Sequence, residues 1–164
     1  MRSRVALGVA VVGALSMLGV GVLIRLGVMS FAYREAVVGI SAFGVVISGV
    51  EQVIRRRWKL NGAQRRLLLG NRLALISFVV FWSCAWVMNV AFTAAAAGFM
   101  FHVACLWWTA TTLFDSRGWP VAVAFSVGAA LAVVLPGWQF EVFSAATLAG
   151  FGGLGLAWGS SAGR

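Results

Sequence analysis

The sequence predicts an all-α integral membrane protein, built as a bundle of six transmembrane helices with both termini in the cytoplasm. Of the 164 residues, 62% are hydrophobic and only 10% are charged, whereas a soluble domain is about half apolar and about a quarter charged. The mean hydropathy is +0.96. Such a chain has too few charges to cover a water-facing surface, which excludes a soluble globular domain, a disordered chain and a nucleic-acid-binding domain.

Charged residues and turn residues divide the chain into apolar runs of the length that a bilayer requires, about 20 residues. They predict six spans in a single domain over 1–164, at about 5–24, 36–54, 73–93, 98–114, 119–136 and 141–158. The first run follows Arg2 and Arg4 and is longer than the core of a secretory signal, which has about 7–15 residues. It is therefore expected to be retained, and its cleavage as a signal would leave five spans.

The middle of the chain needs two spans. Residues 73–114 are 42 positions without a charge when His102 is neutral, which is too long for one helix across a bilayer. The small residues from Thr93 to Gly98 predict a tight turn between the two spans. Pro136 and Gly137 predict the turn between the last two spans.

Basic residues indicate the orientation, because the cytoplasmic loops of membrane proteins carry an excess of Lys and Arg. Seven of the 13 Lys and Arg residues lie in the loop 55–72, and with both termini inside, 11 of the 13 lie on the cytoplasmic side. This distribution favours six spans, and the expected location is the plasma (inner) membrane. The loop is also expected to contact anionic lipid headgroups, through Arg55, Arg56, Arg57, Lys59, Arg65 and Arg66.

Small residues at four-residue spacing predict how the helices associate, since lipid tails are as apolar as Leu and helices join where their backbones approach closely. Three of the predicted helices carry such ridges. They are Ala145, Ala149, Gly153 and Ala157 on the sixth helix, Ala6, Ala10 and Ala14 on the first, and Ala122, Ser126 and Ala130 on the fifth. The pattern indicates packing either within the chain or against a second copy or another membrane subunit.

Polar side chains inside a membrane are costly, which makes them candidate functional residues. The second predicted helix aligns Ser41, Ser48, Glu51 and Arg55 on one face. There, Glu51 either binds a proton or cation near the inner mouth of a pathway or forms a neutralised pair with Arg55 four residues later.

A second polar stripe lies on the fourth predicted helix and consists of His102, Cys105, Thr109 and Thr112. With the turn centred between residues 95 and 96, Asn89 of the third helix lies at the same depth as His102, about 10 Å from the turn. The two side chains are then expected to hydrogen-bond across the hairpin.

Three interpretations of these polar groups stay open. His102 with Cys105 and Cys84 is a weak candidate for ligating a metal or haem, because a structural zinc site needs four ligands. Alternatively, the groups are structural residues whose hydrogen bonds are satisfied locally. A substrate or proton path is the third, formed by Glu51, Asn89, His102, Ser41, Ser48, Thr109 and Thr112.

The sequence therefore favours a structural or accessory role, in which the protein packs in an oligomer or a larger membrane complex. Its partners would be membrane lipids, a second copy or other membrane subunits, and no nucleic acid. One alternative is a small transporter or channel, and a second is a membrane redox subunit that binds haem, metal or quinone near His102. No catalytic constellation is visible, so neither an enzymatic activity nor a cofactor is favoured.

Overall fold

The computed structural model is all-helical: about 90% of the described residues are in helices, and no strand occurs among them. The structure describes residues 2–28, 33–57, 62–113 and 115–160, and at 2–5, 9, 43, 46–48, 50–51, 53–57, 62–68 and 71 it describes the backbone alone. These ranges contain six α-helices, α1 Arg2–Arg25, α2 Tyr33–Arg57, α3 Gly62–Val87, α4 Phe92–Leu113, α5 Trp119–Val134 and α6 Gln139–Gly159.

Within these ranges, four helical segments are long and apolar enough to cross a membrane: Ala6–Arg25, Phe92–Leu113, Ser116–Val134 and Gln139–Gly159. They bear out the prediction of an all-helical bundle and indicate a membrane protein. The apolar part of α3 is shorter, over Arg72–Val87. α2 carries six charged residues near its two ends, which lower its hydropathy below that of the other long helices.

The chain divides into two compact units. The four-helix unit comprises Met1–Ser30 and Ala91–Arg164 and holds α1, α4, α5 and α6, whereas the two-helix unit comprises Phe31–Val90 and holds α2 and α3. In the four-helix unit, α6 packs against α1 and α5, and α4 packs against α5. In the two-helix unit, α2 packs against α3.

Contacts inside the four-helix unit fix the directions of its helices. Arg25 at the end of α1 contacts Glu141 at the start of α6, and Phe92 at the start of α4 stacks on Phe140 of α6. α4 and α6 therefore run in one direction, and α1 and α5 run in the other. Residues 2 and 159 consequently lie at one end of this unit, and residues 28 and 92 lie at the other. In the sequence, α2 and α3 are inserted between residues 28 and 92.

Aromatic rings and small residues fill the interior of the four-helix unit. Phe143 of α6 stacks on Phe99 with 6.0 Å between ring centroids and meets Phe125 edge-on at 5.2 Å. A Cβ added to Gly150 would lie 3.0 Å from the Cα of Val121, so α5 and α6 approach this closely because residue 150 is glycine. Membrane helices associate through such packing rather than through a hydrophobic driving force.

The turn between α3 and α4 lies earlier than the sequence predicts. α3 ends at Val87 and α4 begins at Phe92, so the turn placed at residues 93–98 is wrong. Asn89 lies in the turn with a φ of 52°, a left-handed conformation that Asn tolerates better than most residues. The four alanines at 94–97 are strong helix formers and begin α4 instead of forming the turn.

In the two-helix unit, aromatic side chains join the start of α2 to the end of α3. The Tyr33 ring meets the buried Trp82 ring edge-on, with 5.8 Å between centroids. The Tyr33 hydroxyl donates to the backbone carbonyl of Val90, and Ala36 and Ala85 are buried. This burial raises the pKa of the Tyr33 phenol above its ordinary value.

Candidate functional site

The polar stripe predicted on α4 forms one face of that helix. His102 is half-buried, and Cys105, Thr109 and Thr112 are exposed. The Thr109 hydroxyl donates to the Cys105 carbonyl at 2.9 Å, and the Thr112 hydroxyl donates to the Thr109 carbonyl at 2.9 Å. Both hydroxyls therefore use their protons within the helix, which is the usual arrangement for Ser and Thr in helix interiors.

Asn89 does not join this stripe in the predicted way. The expected hydrogen bond to His102 assumed a turn between residues 95 and 96, with Asn89 inside the preceding helix. Asn89 is instead exposed in the turn itself, whereas His102 lies ten residues into α4, about 15 Å along the helix axis. The turn on which this expectation rested is therefore misplaced, and Asn89 supplies the left-handed backbone of the observed turn instead.

The stripe predicted on α2 lies only partly among the described residues. Ser41 is exposed on α2. Lys59 lies outside the described part of the chain. So do the side chains of the remaining polar and basic candidates, which are Ser48, Glu51, Arg55, Arg56, Arg57, Arg65 and Arg66. The predicted loop 55–72 is wrong in its bounds, because α2 extends to Arg57 and α3 already begins at Gly62. The proton path at Glu51 and the lipid contacts of this basic segment stay predictions.

Among the described residues, no group of three or more His, Cys, Asp or Glu side chains is placed to hold a metal ion. Cys84 and Cys105 are both free and exposed. His102 and Cys105 lie one turn apart on α4 and offer two ligands, where a structural zinc site uses four. Haem, metal or quinone binding near His102 therefore stays a prediction.

The ridge of small residues on α1 packs inside the chain. Ala6, Ala10 and Ala14 are only 3%, 1% and 6% exposed, and α1 packs against α6. The buried Ser144 of α6 donates its hydroxyl proton to the Ala14 carbonyl at 2.7 Å. A Cβ on Gly13 would lie 3.0 Å from the Thr147 side chain, so this interface depends on small residues.

The ridge on α6 has a different environment. Gly153 faces α5, because a Cβ added there would lie 2.9 Å from the Cβ of Pro120, and Ala157 is half-buried. Ala145 and Ala149, in contrast, are exposed. The ridge on α5 is likewise divided, since Ala122 is buried, Ser126 is half-buried and Ala130 is exposed.

An ion pair that the sequence analysis missed joins α1 to α6. The Arg25 Nε donates to Glu141 Oε1 at 2.7 Å, and its Nη2 donates to the Gly137 carbonyl at 3.4 Å. The guanidinium carbon lies 3.7 Å from the centre of the Trp138 ring. Gly137, with a φ of 91°, donates its N–H to Gln139 Oε1 at 3.0 Å. The turn between α5 and α6 is thereby tied to the end of α1.

The positions of the two charges favour this pair. Arg25 lies in the last turn of α1 and Glu141 in the first turn of α6, so each carries the charge that its helix dipole favours. Their side chains are 42% and 18% exposed, which places the pair at the edge of the bundle. The two residues are 116 positions apart in the sequence. The only sequence signal that could have indicated them is that each is a lone charge next to an apolar run.

At the opposite end of the four-helix unit, Asp115 connects the end of α4 to the end of α6. Its Oδ1 accepts from the Arg117 backbone N–H at 3.1 Å, and its Oδ2 accepts from Trp158 Nε1 at 3.0 Å. Close by, Trp107 meets Phe151 edge-on at 5.4 Å between centroids. Each end of the unit therefore has a polar contact that ties α6 to another part of the chain.

An apolar groove with a volume of about 680 Å³ lies between α4 and α5. It begins at Thr93 and Pro136, and its far end is near Phe101 and Ser126. The Ser126 hydroxyl accepts from Trp108 Nε1 at 3.3 Å, so the large Trp108 ring occupies the space beyond this end of the groove. The groove exists because its walls are mostly small residues, among them Ala94, Ala97, Gly98, Ala129 and Ala130.

No protein-family model, no curated protein and no solved structure matches this chain. The described side chains provide helix-packing surfaces, a polar contact at each end of the four-helix unit, and an apolar groove. Close helix contacts and satisfied polar groups of this kind stabilise a helical bundle.

Proposed function

We propose that this protein has a structural or accessory role in a membrane, where it packs in an oligomer or a larger complex. The observation that carries the proposal is the uncovered part of the α6 ridge. Ala145 and Ala149 lie one turn apart and are exposed, although α6 packs against both α1 and α5. A smooth face of this kind lets the backbone of another membrane helix come close. Leu148 and Leu156, which are 51% and 71% exposed, would flank that helix.

The proposed topology has six spans, with both termini on the cytoplasmic side of the plasma (inner) membrane. The antiparallel packing of α1 and α6 supports it, because residues 2 and 159 then share one side. The packing of α1 also supports a first helix that is retained. Since α2 and α3 are inserted at the opposite end, they cross twice in this arrangement, and 11 of the 13 basic residues lie inside.

Reporter fusions test this topology. A reporter of cytoplasmic or external location is placed after Arg164, and in a second protein it is inserted between Arg57 and Gly62, where α2 ends and α3 begins. Six spans predict that both positions are cytoplasmic. If the two positions lie on opposite sides, α2 and α3 do not cross, and the protein has four spans. With the basic loop inside, that arrangement leaves 9 of the 13 basic residues in the cytoplasm.

Native mass spectrometry of the protein, extracted from its host in mild detergent, tests the accessory role. The expected result is a complex larger than one 17.4 kDa chain, which is lost when Ala145→Leu and Ala149→Leu are combined. Ser16→Leu is the matched control, because Ser16 is also small and exposed, on α1. A wild-type monomer contradicts the proposal and favours transport, to be tested by flux measurements on Glu51→Gln and His102→Ala.

A further inference from the structure

The length and the lining of the groove between α4 and α5 limit what can occupy it. Thr93 and Phe101 are eight residues apart, so the groove extends about 12 Å along α4 at 1.5 Å per residue. Thr93 and Ser126 are its polar lining residues, and the other residues along its walls are apolar. Such walls suit a flexible hydrocarbon chain.

The residues at the mouth of the groove indicate which chemical group a bound hydrocarbon chain would carry. Pro136 lines the groove, and the next two residues are the ones that Arg25 contacts, Gly137 through its carbonyl and Trp138 through its ring. Arg25 is 42% exposed, and its bonds to Glu141 and to the Gly137 carbonyl use two of its five N–H donors. Trp138 is 50% exposed. Arg binds phosphate groups well, and Trp is enriched at the headgroup level of membranes.

We propose that this groove binds one phospholipid of the surrounding bilayer, with an acyl chain between α4 and α5 and the phosphate beside Arg25. The apolar walls and the remaining N–H donors of Arg25 at the mouth are separate observations that agree on this ligand. The groove volume also falls in the range of about 300–1,000 Å³ that is typical of ligand sites. The small side chains of Ala94, Gly98 and Ala130 make the room, and larger residues there would fill it. The site requires the four-helix unit to span a membrane and does not depend on the accessory role.

Photo-crosslinking tests the acyl chain. The full-length protein is placed in nanodiscs of phosphatidylglycerol and phosphatidylethanolamine that contain some phospholipid with a photoactivatable acyl chain. Peptide mass spectrometry is expected to find adducts concentrated on the groove segments of α4 and α5. Ala94→Leu or Ala130→Leu, both at exposed positions, should reduce this labelling about tenfold, the effect of displacing about two buried methylene groups. Ser16→Leu, the control outside the groove, should leave it unchanged.

A second arm tests the phosphate without altering Arg25, whose replacement would also break its contact with Glu141. A diacylglycerol with the same photoactivatable chain lacks the phosphate and should label the groove several-fold less. Equal labelling by the two lipids overturns the proposal, as does labelling spread evenly over all exposed faces or unaffected by the Leu substitutions. Crosslinks between two copies through groove residues also overturn it. The accessory role is tested separately at Ala145 and Ala149, so either proposal can fail alone.

Discussion

The two units of this chain differ in hydropathy and in charge. The four-helix unit contains all four segments that are apolar enough to span a membrane among the described residues. The two-helix unit, little more than a third of the chain, contains eight of the 13 Lys and Arg residues. Charge is thus concentrated where the helices are least apolar. Hydropathy alone identifies the helices of the four-helix unit as candidate membrane spans. For the helices of the two-helix unit, the topology and the distribution of charge are needed as well.

The difference extends to how each unit is held together. In the four-helix unit, helices approach closely at Gly13, Gly150 and Gly153, and Phe143 joins α4 and α5 to α6 through its ring contacts. In the two-helix unit, the Tyr33–Trp82 contact joins the helices near the start of α2. Because packing rather than hydrophobic transfer drives association in lipid, we expect the four-helix unit to be the more sensitive to small increases in side-chain volume.

The largest effect is expected for Gly150→Ala in the four-helix unit. The new Cβ would lie 3.0 Å from the backbone of Val121, so α5 and α6 must separate. Overpacking of this kind costs about 1–3 kcal/mol, measured as loss of stability of the purified protein in nanodiscs. Gly152→Ala is the matched control, since nothing lies within 4 Å of its added Cβ, and it should stabilise α6 by up to about 1 kcal/mol. Equal effects at both positions would contradict the close packing of α5 on α6.

A smaller effect is expected for Ser144→Ala, which removes the buried hydrogen bond from α6 to the Ala14 carbonyl of α1. Hydrogen bonds between membrane helices contribute about 0.6 kcal/mol on average and up to about 1.7 kcal/mol, and the same unfolding measurement reports the loss. Ser16→Ala serves as the control, because the Ser16 hydroxyl bonds to Val12 of its own helix. A loss no greater than that of Ser16→Ala would show that the α1–α6 contact does not need this bond.

The Arg25–Glu141 pair is expected to contribute less, because Arg25 is 42% exposed. A double-mutant cycle with Arg25→Gln and Glu141→Gln should give a coupling of about 0.2–1 kcal/mol, as exposed ion pairs do. The coupling should fall as salt is raised, since solvent-exposed charges are screened. A coupling that is zero at low salt would leave the cation–π contact with Trp138 as the remaining role of Arg25.

Local patterns predicted the helices well and the tertiary contacts poorly. The lengths of the apolar runs and the turn at Pro136 and Gly137 agree with α1, α5 and α6. The α3–α4 turn was misplaced because helix propensity at 94–97 outweighed the small-residue signal, while Asn89 supplied the left-handed backbone. The Arg25–Glu141 pair joins residues 116 positions apart, so no periodicity reveals it.

For the candidate functional residues, too, the sequence predicted local patterns better than tertiary contacts. A ridge of small residues indicates that a face is smooth, but the ridges on α1 and α6 look alike in sequence, and only Ala6, Ala10 and Ala14 prove to be buried. The groove between α4 and α5 has the same cause, since it appears where small residues on two neighbouring helices face a common space. The volume left between helices depends on their crossing and distance, which are tertiary properties.

The pH dependence of Tyr33 tests the comparison from the side of the two-helix unit. Tyr33 is the single tyrosine of the sequence, so tyrosinate absorbance during a pH titration reports its phenol alone. Burial raises the pKa of Tyr33 above 10.0 in the folded protein, and unfolding should return it to the ordinary value. The folded state then holds this proton more tightly, so the free energy of unfolding should fall as the pH rises from about 10 through the folded pKa.

Tyr33→Phe separates the two contributions of this side chain. The variant should show no tyrosinate signal and should lose the stability decrease that wild type shows above about pH 10. At neutral pH it should also lose the hydrogen bond to the Val90 carbonyl, which is worth about 0.5–1.5 kcal/mol. A wild-type pKa at or below 10.0 would contradict the burial of the Tyr33 phenol where α2 meets the end of α3. The two-helix unit would then differ from the four-helix unit in packing at this junction as well as in charge.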